Sequence, residues 1–234
     1  MRVFVAGASG VVGRQLVPML VAAGHDVTGT TRHATRTDAL AQAGATPVVV
    51  DATDPAALNR AVADARPGVV IHQLTDLAAA ATAGFTAAVV EANARLRTIA
   101  TTNLVDACER AGVQRLVAQS GAWLYAPGPE PHTEDDPLGA TDEAGRITLS
   151  GILALERAVL GSARLEGVVL RYGLLYGPGT GADTAPPPSV HVVGAARVAA
   201  LAVDHGRPGI FNVVDDGGPV SNTKARDELG WTPD

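Results

Sequence analysis

The feature that most constrains this chain lies at its start. The apolar run Val3-Phe4-Val5-Ala6 passes directly into Gly7-Ala8-Ser9-Gly10-Val11-Val12-Gly13, and a helix-period segment continues from Val11 to Ala23. Glycines at this spacing, between an apolar run and a helix, mark a sharp strand-to-helix turn. The alternation then repeats: Val27 to Thr30 precedes Thr37 to Ala43, and Val48 to Val50 precedes Pro55 to Ala63. Val69 to Leu74 follows and leads, after a loop, to a helix from about Asn93 to Ala111. Arg115 to Gln119 reads as a fifth strand, Leu149 to Leu160 as a helix and Gly167 to Tyr172 as a sixth strand. Short β-branched runs alternating with Ala-rich helical segments define an α/β chain with a parallel sheet and crossover helices. Tyr125 to Arg146, rich in Pro, Gly and acids, reads as a surface loop. Beyond Tyr176 the pattern weakens, then recovers with a helix from about Gly194 to Val203 and a strand near Ile210 to Val214. The expected architecture is a doubly wound domain over residues 1–166. Strand six and a small, discontinuous C-terminal substrate lobe would occupy 167–234.

The turn also carries chemistry. Gly7 permits the bend, Gly10 lets a pyrophosphate approach the backbone, and Gly13 lets helix pack on strand. The helix N-terminus at Val11 and Val12 offers N–H groups and a positive dipole, with Ser9 on the loop beside it. This is the dinucleotide fingerprint of a Rossmann fold. The second strand ends Thr30-Thr31-Arg32, where an acid would grip the ribose 2′-hydroxyl of NAD. No acid is there. Thr31 removes repulsion toward a 2′-phosphate, Arg32 offers a charge-assisted fork, and Arg36 could add a second cation. The expected cofactor is NADP(H) rather than NAD(H).

With these residues in hand, the chain resembles an extended short-chain dehydrogenase/reductase of the NAD-dependent epimerase/dehydratase family. Asp51-Ala52 is similar to the family's adenine-contacting Asp-Leu pair. His72-Gln73-Leu74-Thr75 is similar to the end of its fourth strand. Arg171-Tyr172-Gly173 with Tyr176-Gly177-Pro178-Gly179 resembles the segment that passes the nicotinamide, and Lys224-Ala225 with Leu229-Gly230-Trp231 resembles its C-terminal signature. The resemblance implies cofactor contacts at Leu74, Thr75 and Tyr172 besides the loop.

The departures are as informative. Members normally use a Tyr whose pKa is lowered by a Lys four residues later. Counting back from Glu156, those positions hold Thr148 and Ile152, and Lys224 is the only lysine. Arg97 stands where the long helix usually carries Asn, and the usual Ser/Thr position of strand five falls on Gly121, beside Ser120. The members' C-terminal part is usually longer; near 181–189 and 220–221 this chain is either genuinely short or lacks segments. Candidate groups near the nicotinamide are Ser120, Tyr125, Tyr172, His191 and Asp76, with Ser120 expected to polarise a carbonyl and Tyr125 or a water to handle the proton. His191, in the apolar run Val190-His191-Val192-Val193, is expected to be structural. His132 with Glu134, Asp135 and Asp136 lacks metal-ligand spacing and is expected to be a solvated acidic face.

Composition narrows the classes. A net charge of −6 without a basic run offers no footprint for nucleic acid or an anionic membrane surface, and no apolar run reaches the ~20 residues of a membrane span. The single cysteine, Cys108, excludes an intrachain disulfide and reads as a buried thiol. The N-terminus does not resemble a signal peptide, so a cytoplasmic setting is expected. The expected partner is a small-molecule substrate, and a homodimer is left open. The leading functional reading is an atypical oxidoreductase or epimerase-like enzyme acting on a small carbonyl, sugar-derived or polyketide-like compound. The alternatives are a dinucleotide-retaining enzyme with non-redox cyclisation or elimination chemistry, and an NADP(H)-sensing protein without turnover.

Overall fold

A computed structural model of the chain describes residues 1–76 and 86–233. Its elements run β1 (Arg2–Ala6), α1 (Val11–Ala22), β2 (Asp26–Thr31), α2 (Thr37–Gln42), β3 (Thr46–Val49), α3 (Pro55–Ala65), β4 (Val69–His72) and α4 (Ala87–Ala111). They continue through β5 (Arg115–Gly121), α5 (Glu143–Leu160), β6 (Glu166–Tyr172), β7 (Leu174–Tyr176), β8 (Ser189–His191), α6 (Val192–Leu201), β9 (Gly209–Val213) and α7 (Thr223–Leu229). Seven strands form one sheet in the order β3-β2-β1-β4-β5-β6-β9, and every pairing is parallel. The order reverses between β1 and β4, and in open α/β sheets the ligand crevice opens at that point, beyond the carboxyl ends of the strands.

Alternating strand residues feed two cores. Val3, Val5, Ile71, Val117 and Val168 pack with α1 and α6 on one face, and the buried Trp231 joins them by donating from Nε1 to Gly194 O at 2.9 Å. Phe4, Val70, Leu116 and Val169 pack with α3, α4 and α5 on the other. Cys108 lies within this second core, where burial pushes its thiol up to about 12.

Two helices begin earlier than the periodicity predicts. Thr86 caps α4 by accepting from Val89 N, and Asp142 caps α5 by accepting from Gly145 N at 2.7 Å. These caps move the first turns six residues upstream of the expected starts at Asn93 and Leu149. The short parallel pair β7–β8 was not anticipated; it places Tyr176 opposite His191, whose rings meet edge to face at 5.2 Å. Among the described residues no helix is long and apolar enough to cross a membrane.

Candidate functional site

The glycine loop is built as a cradle. Gly7 has φ +86°, a left-handed conformation, and a Cβ there would come within 2.7 Å of Gln73 O, so the loop lies hard against the end of β4. A Cβ on Gly13 would collide with the Gly7 and Ala8 carbonyls. Gly10 differs. A Cβ there would meet only Gly7 O, at 3.2 Å, and no side chain caps α1. The open side of Gly10 and the uncapped first turn at Val11 and Val12 therefore fit the pyrophosphate of a dinucleotide.

Around this cradle the residues singled out from sequence converge. Ser9 Oγ donates to Thr31 Oγ1 at 3.0 Å, and Thr31 Oγ1 also accepts from His33 N at 3.2 Å. Arg36 Nη1 donates to Ser9 O at 3.4 Å. Arg32 forms an ion pair with Asp76 at 3.2 Å, both side chains partly exposed. The Asp51 carboxylate accepts from the backbone N–H and hydroxyl of Thr53, and these bonds hold it below the usual carboxylate range. Beside it, Ala52 O accepts from Asn103 of α4 at 3.0 Å. Leu74, Thr75 and Asp76 are half-buried beyond β4, with Leu74 O accepting from Gln119 Nε2 at 3.1 Å. Tyr172 lies deeper than expected of a cofactor contact: it is buried, its hydroxyl accepts from Gln73 Nε2 at 3.0 Å, and burial pushes it far up.

The carboxyl ends of β5 and β6 hold a buried ionic network that the sequence reading did not foresee. Arg171 donates to Glu156 through Nε at 2.9 Å and Nη2 at 2.8 Å, and both side chains are almost fully buried. Burial alone would lower the Arg171 guanidinium, but the facing carboxylate outweighs it and raises it. Ser120 Oγ donates to Glu156 Oε1 at 2.8 Å. The Tyr125 hydroxyl accepts from Arg171 Nη1 at 2.9 Å and donates to Asn212 Oδ1 at 2.7 Å. Each hydroxyl has one proton, and both protons are engaged inside the network. A carboxylate and an amide, 36 and 87 residues away in the sequence, accept them.

His132 and Glu134 also depart from the expected solvated face. His132 is buried and stacks on Tyr125 with ring centroids 5.0 Å apart, while Glu134 Oε1 accepts from Asn212 N at 2.7 Å. The available signal was a set of charged residues inside apolar segments, Glu156 in a helix and Arg171 in a strand.

The α5 positions that the count from Glu156 assigns to the family's Tyr and Lys hold Thr148 and Ile152. Ile152 is fully buried and Thr148 half-buried on α5. Lys224 cannot substitute: its Nζ lies 4.8 Å from the Phe211 ring centroid, and a Cβ on Gly209, where β9 begins, would be 3.6 Å from it. That is the end of the sheet opposite the crevice.

The sequence model of the NAD dependent epimerase/dehydratase family matches residues 3–202. The chain belongs to this family. It is 42% identical over 239 aligned residues to a 3-diazoavenalumate denitrifying reductase from Streptomyces sp, covering 92% of this chain and 76% of that protein. Among solved structures, its fold is similar to UDP-glucose 4-epimerase from Thermotoga maritima, with TM-score 0.78 at 18% identity, covering 100% of this chain and 94% of that one. It is also similar to the Bordetella bronchiseptica enzyme WbmG in complex with NAD and UDP, with TM-score 0.75 at 21% identity, covering 100% and 89%.

Proposed function

We propose that this protein is an NADP(H)-dependent reductase whose substrate accepts hydride without needing a side-chain acid, an arenediazonium or diazo compound being the favoured class. The observation that supports this reading is the pairing of an intact dinucleotide cradle with an α5 that carries Ile152 and Thr148 at the positions counted for the family's Lys and Tyr. When bound, a reduced nicotinamide supplies a hydride. Reduction of a carbonyl would leave charge on oxygen, which a proton donor must quench. A diazonium group makes no such demand. Hydride added to its terminal nitrogen gives a neutral diazene, which loses N2 as its own hydrogen replaces the C–N bond with C–H. The relative named as a denitrifying reductase of a diazo compound supports this choice over carbonyl reduction.

In this reading the uncapped start of α1 holds the pyrophosphate, and Ser9, Thr31, Arg32 and Arg36 hold the 2′-phosphate. Ser120 and Tyr125 are positioning residues, fixing the ends of β5 and β6 through Glu156 and Arg171. The test is transfer of label from NADPH deuterated at nicotinamide C4 to an arenediazonium carboxylate. One NADPH should be oxidised for each N2 released and each C–N bond replaced by C–H, with deuterium at that carbon to the extent that the diazene loses N2 before its N–D exchanges with water. N2 released without oxidation of NADPH, or a diazonium left unreduced, would overturn the reading.

Cofactor choice gives a second prediction. The Arg32–Asp76 pair is partly exposed and worth at most about 1 kcal/mol, so a 2′-phosphate readily displaces the carboxylate. Arg32→Ala should erase about 1.5–3 kcal/mol of preference for NADPH over NADH, the range for a hydrogen bond to a charged group. Calorimetry giving the wild type equal affinity for both would reject the assignment.

A further inference from the structure

One buried cation has no counter-ion among the described residues. Arg97 lies on α4 at 5% exposure, and among the described residues its guanidinium makes no hydrogen bond or ion pair. Residues 77–85 contain no Asp or Glu. The helix that carries Arg97 is tied to the end of β4 on either side of it. One turn ahead of it, Asn93 Oδ1 accepts from Asp76 N at 2.9 Å. One turn behind, Thr101 Oγ1 accepts from His72 Nε2 at 2.8 Å, the tautomer being set by Leu74 N donating to Nδ1. Asn93, Arg97 and Thr101 thus form one stripe of α4 laid along the end of β4, where the crevice opens. Arg97 keeps 5% of its surface exposed.

We infer that Arg97 is a substrate-recognition residue that binds a carboxylate of the molecule to be reduced, so that the substrates are small organic acids. An unpaired buried charge is among the costliest groups in a fold and is stabilised only by an ion brought to it. Burial lowers Arg97 to about 10, which leaves it charged at neutral pH, and neutral His72 beneath it supplies no negative charge. The cofactor's phosphates are accounted for on the far side of β1, at the uncapped start of α1 and beside Arg32 and Arg36. A planar fork favours bidentate carboxylate recognition. This inference rests on the reductase reading for the word substrate, but not for the binding itself.

The test is equilibrium binding of acetate, benzoate and 3-phenylpropanoate, against benzamide and inorganic phosphate, to cofactor-free and NADP+-loaded protein. At least one carboxylate should bind the wild type and lose at least tenfold in affinity in Arg97→Met, with Arg97→Lys in between and benzamide unaffected by either change. In the ligand-free state Arg97→Met should melt higher than wild type, because it removes an uncompensated charge; a purely structural arginine would give the reverse. No carboxylate binding, equal binding to Arg97→Met, or tighter binding of phosphate than of every carboxylate would overturn the assignment. Failure of NADP+ to bind the wild type would instead sink the reductase reading, while the cofactor-free titrations still report on Arg97.

Discussion

Replacing Glu156 with Ala is expected to cost about 3–5 kcal/mol of folding free energy, the range for breaking one side of a buried ion pair. Arg171 would keep its charge in the core while losing both bonds to the carboxylate, and Ser120 would lose its acceptor. For a chain of this length each kcal/mol corresponds to roughly 2–4 °C in Tm, so thermal and denaturant unfolding should both register it clearly. The double variant Glu156→Leu/Arg171→Met should recover most of the loss, since an apolar pair of similar volume removes the stranded charge. A single-variant loss below about 1 kcal/mol would mean that water reaches Arg171 and that the network does not hold the β5 and β6 ends together.

The second large effect is expected at Gly10. Its φ of −76° and ψ of −179° are open to any residue, and a Cβ there meets a single backbone oxygen at 3.2 Å. Gly10→Val should therefore fold. Its side chain would fill the space over the first turn of α1, and binding of NADPH and NADH should fall by at least roughly a hundredfold, about 2.7 kcal/mol. The measurement is calorimetry on a variant whose unfolding transition stays cooperative. Retained affinity would show that the pyrophosphate lies elsewhere.

Much of this was readable in the chain. Buried parallel strands announce themselves as unbroken apolar runs such as Val3 to Ala6 and Val69 to Ile71, and the glycine loop fixes where the first helix begins. The start of α4 was not readable, because the Ala-rich stretch before Asn93 has no periodic boundary and the helix begins instead at the cap supplied by Thr86. The site was half legible. Thr31, Arg32 and Ser9 are local to the loop and its neighbouring strand, so spacing finds them. Ser120 and Tyr125 were placed near the correct strand end, but their partners Glu156 and Asn212 come from other crossovers, and only tertiary packing brings them together. Arg97 was visible as a departure from the family pattern. Its burial without a partner was not.

The loss of the Tyr and Lys has a consequence for chemical compatibility. Arenediazonium ions couple to phenolates and to free amines, so the usual pair, a lowered-pKa phenol beside an ammonium group, would be modified by such a substrate. Here the α5 position counted for the lysine is a fully buried Ile152. Tyr125 and Tyr172 are both held above the ordinary phenol range, chiefly by burial, and so stay protonated. The only amine side chain, Lys224, lies over Phe211 at the far end of the sheet. On the proposed reading, the phenol and amine pair that such a substrate would consume is missing from this chain.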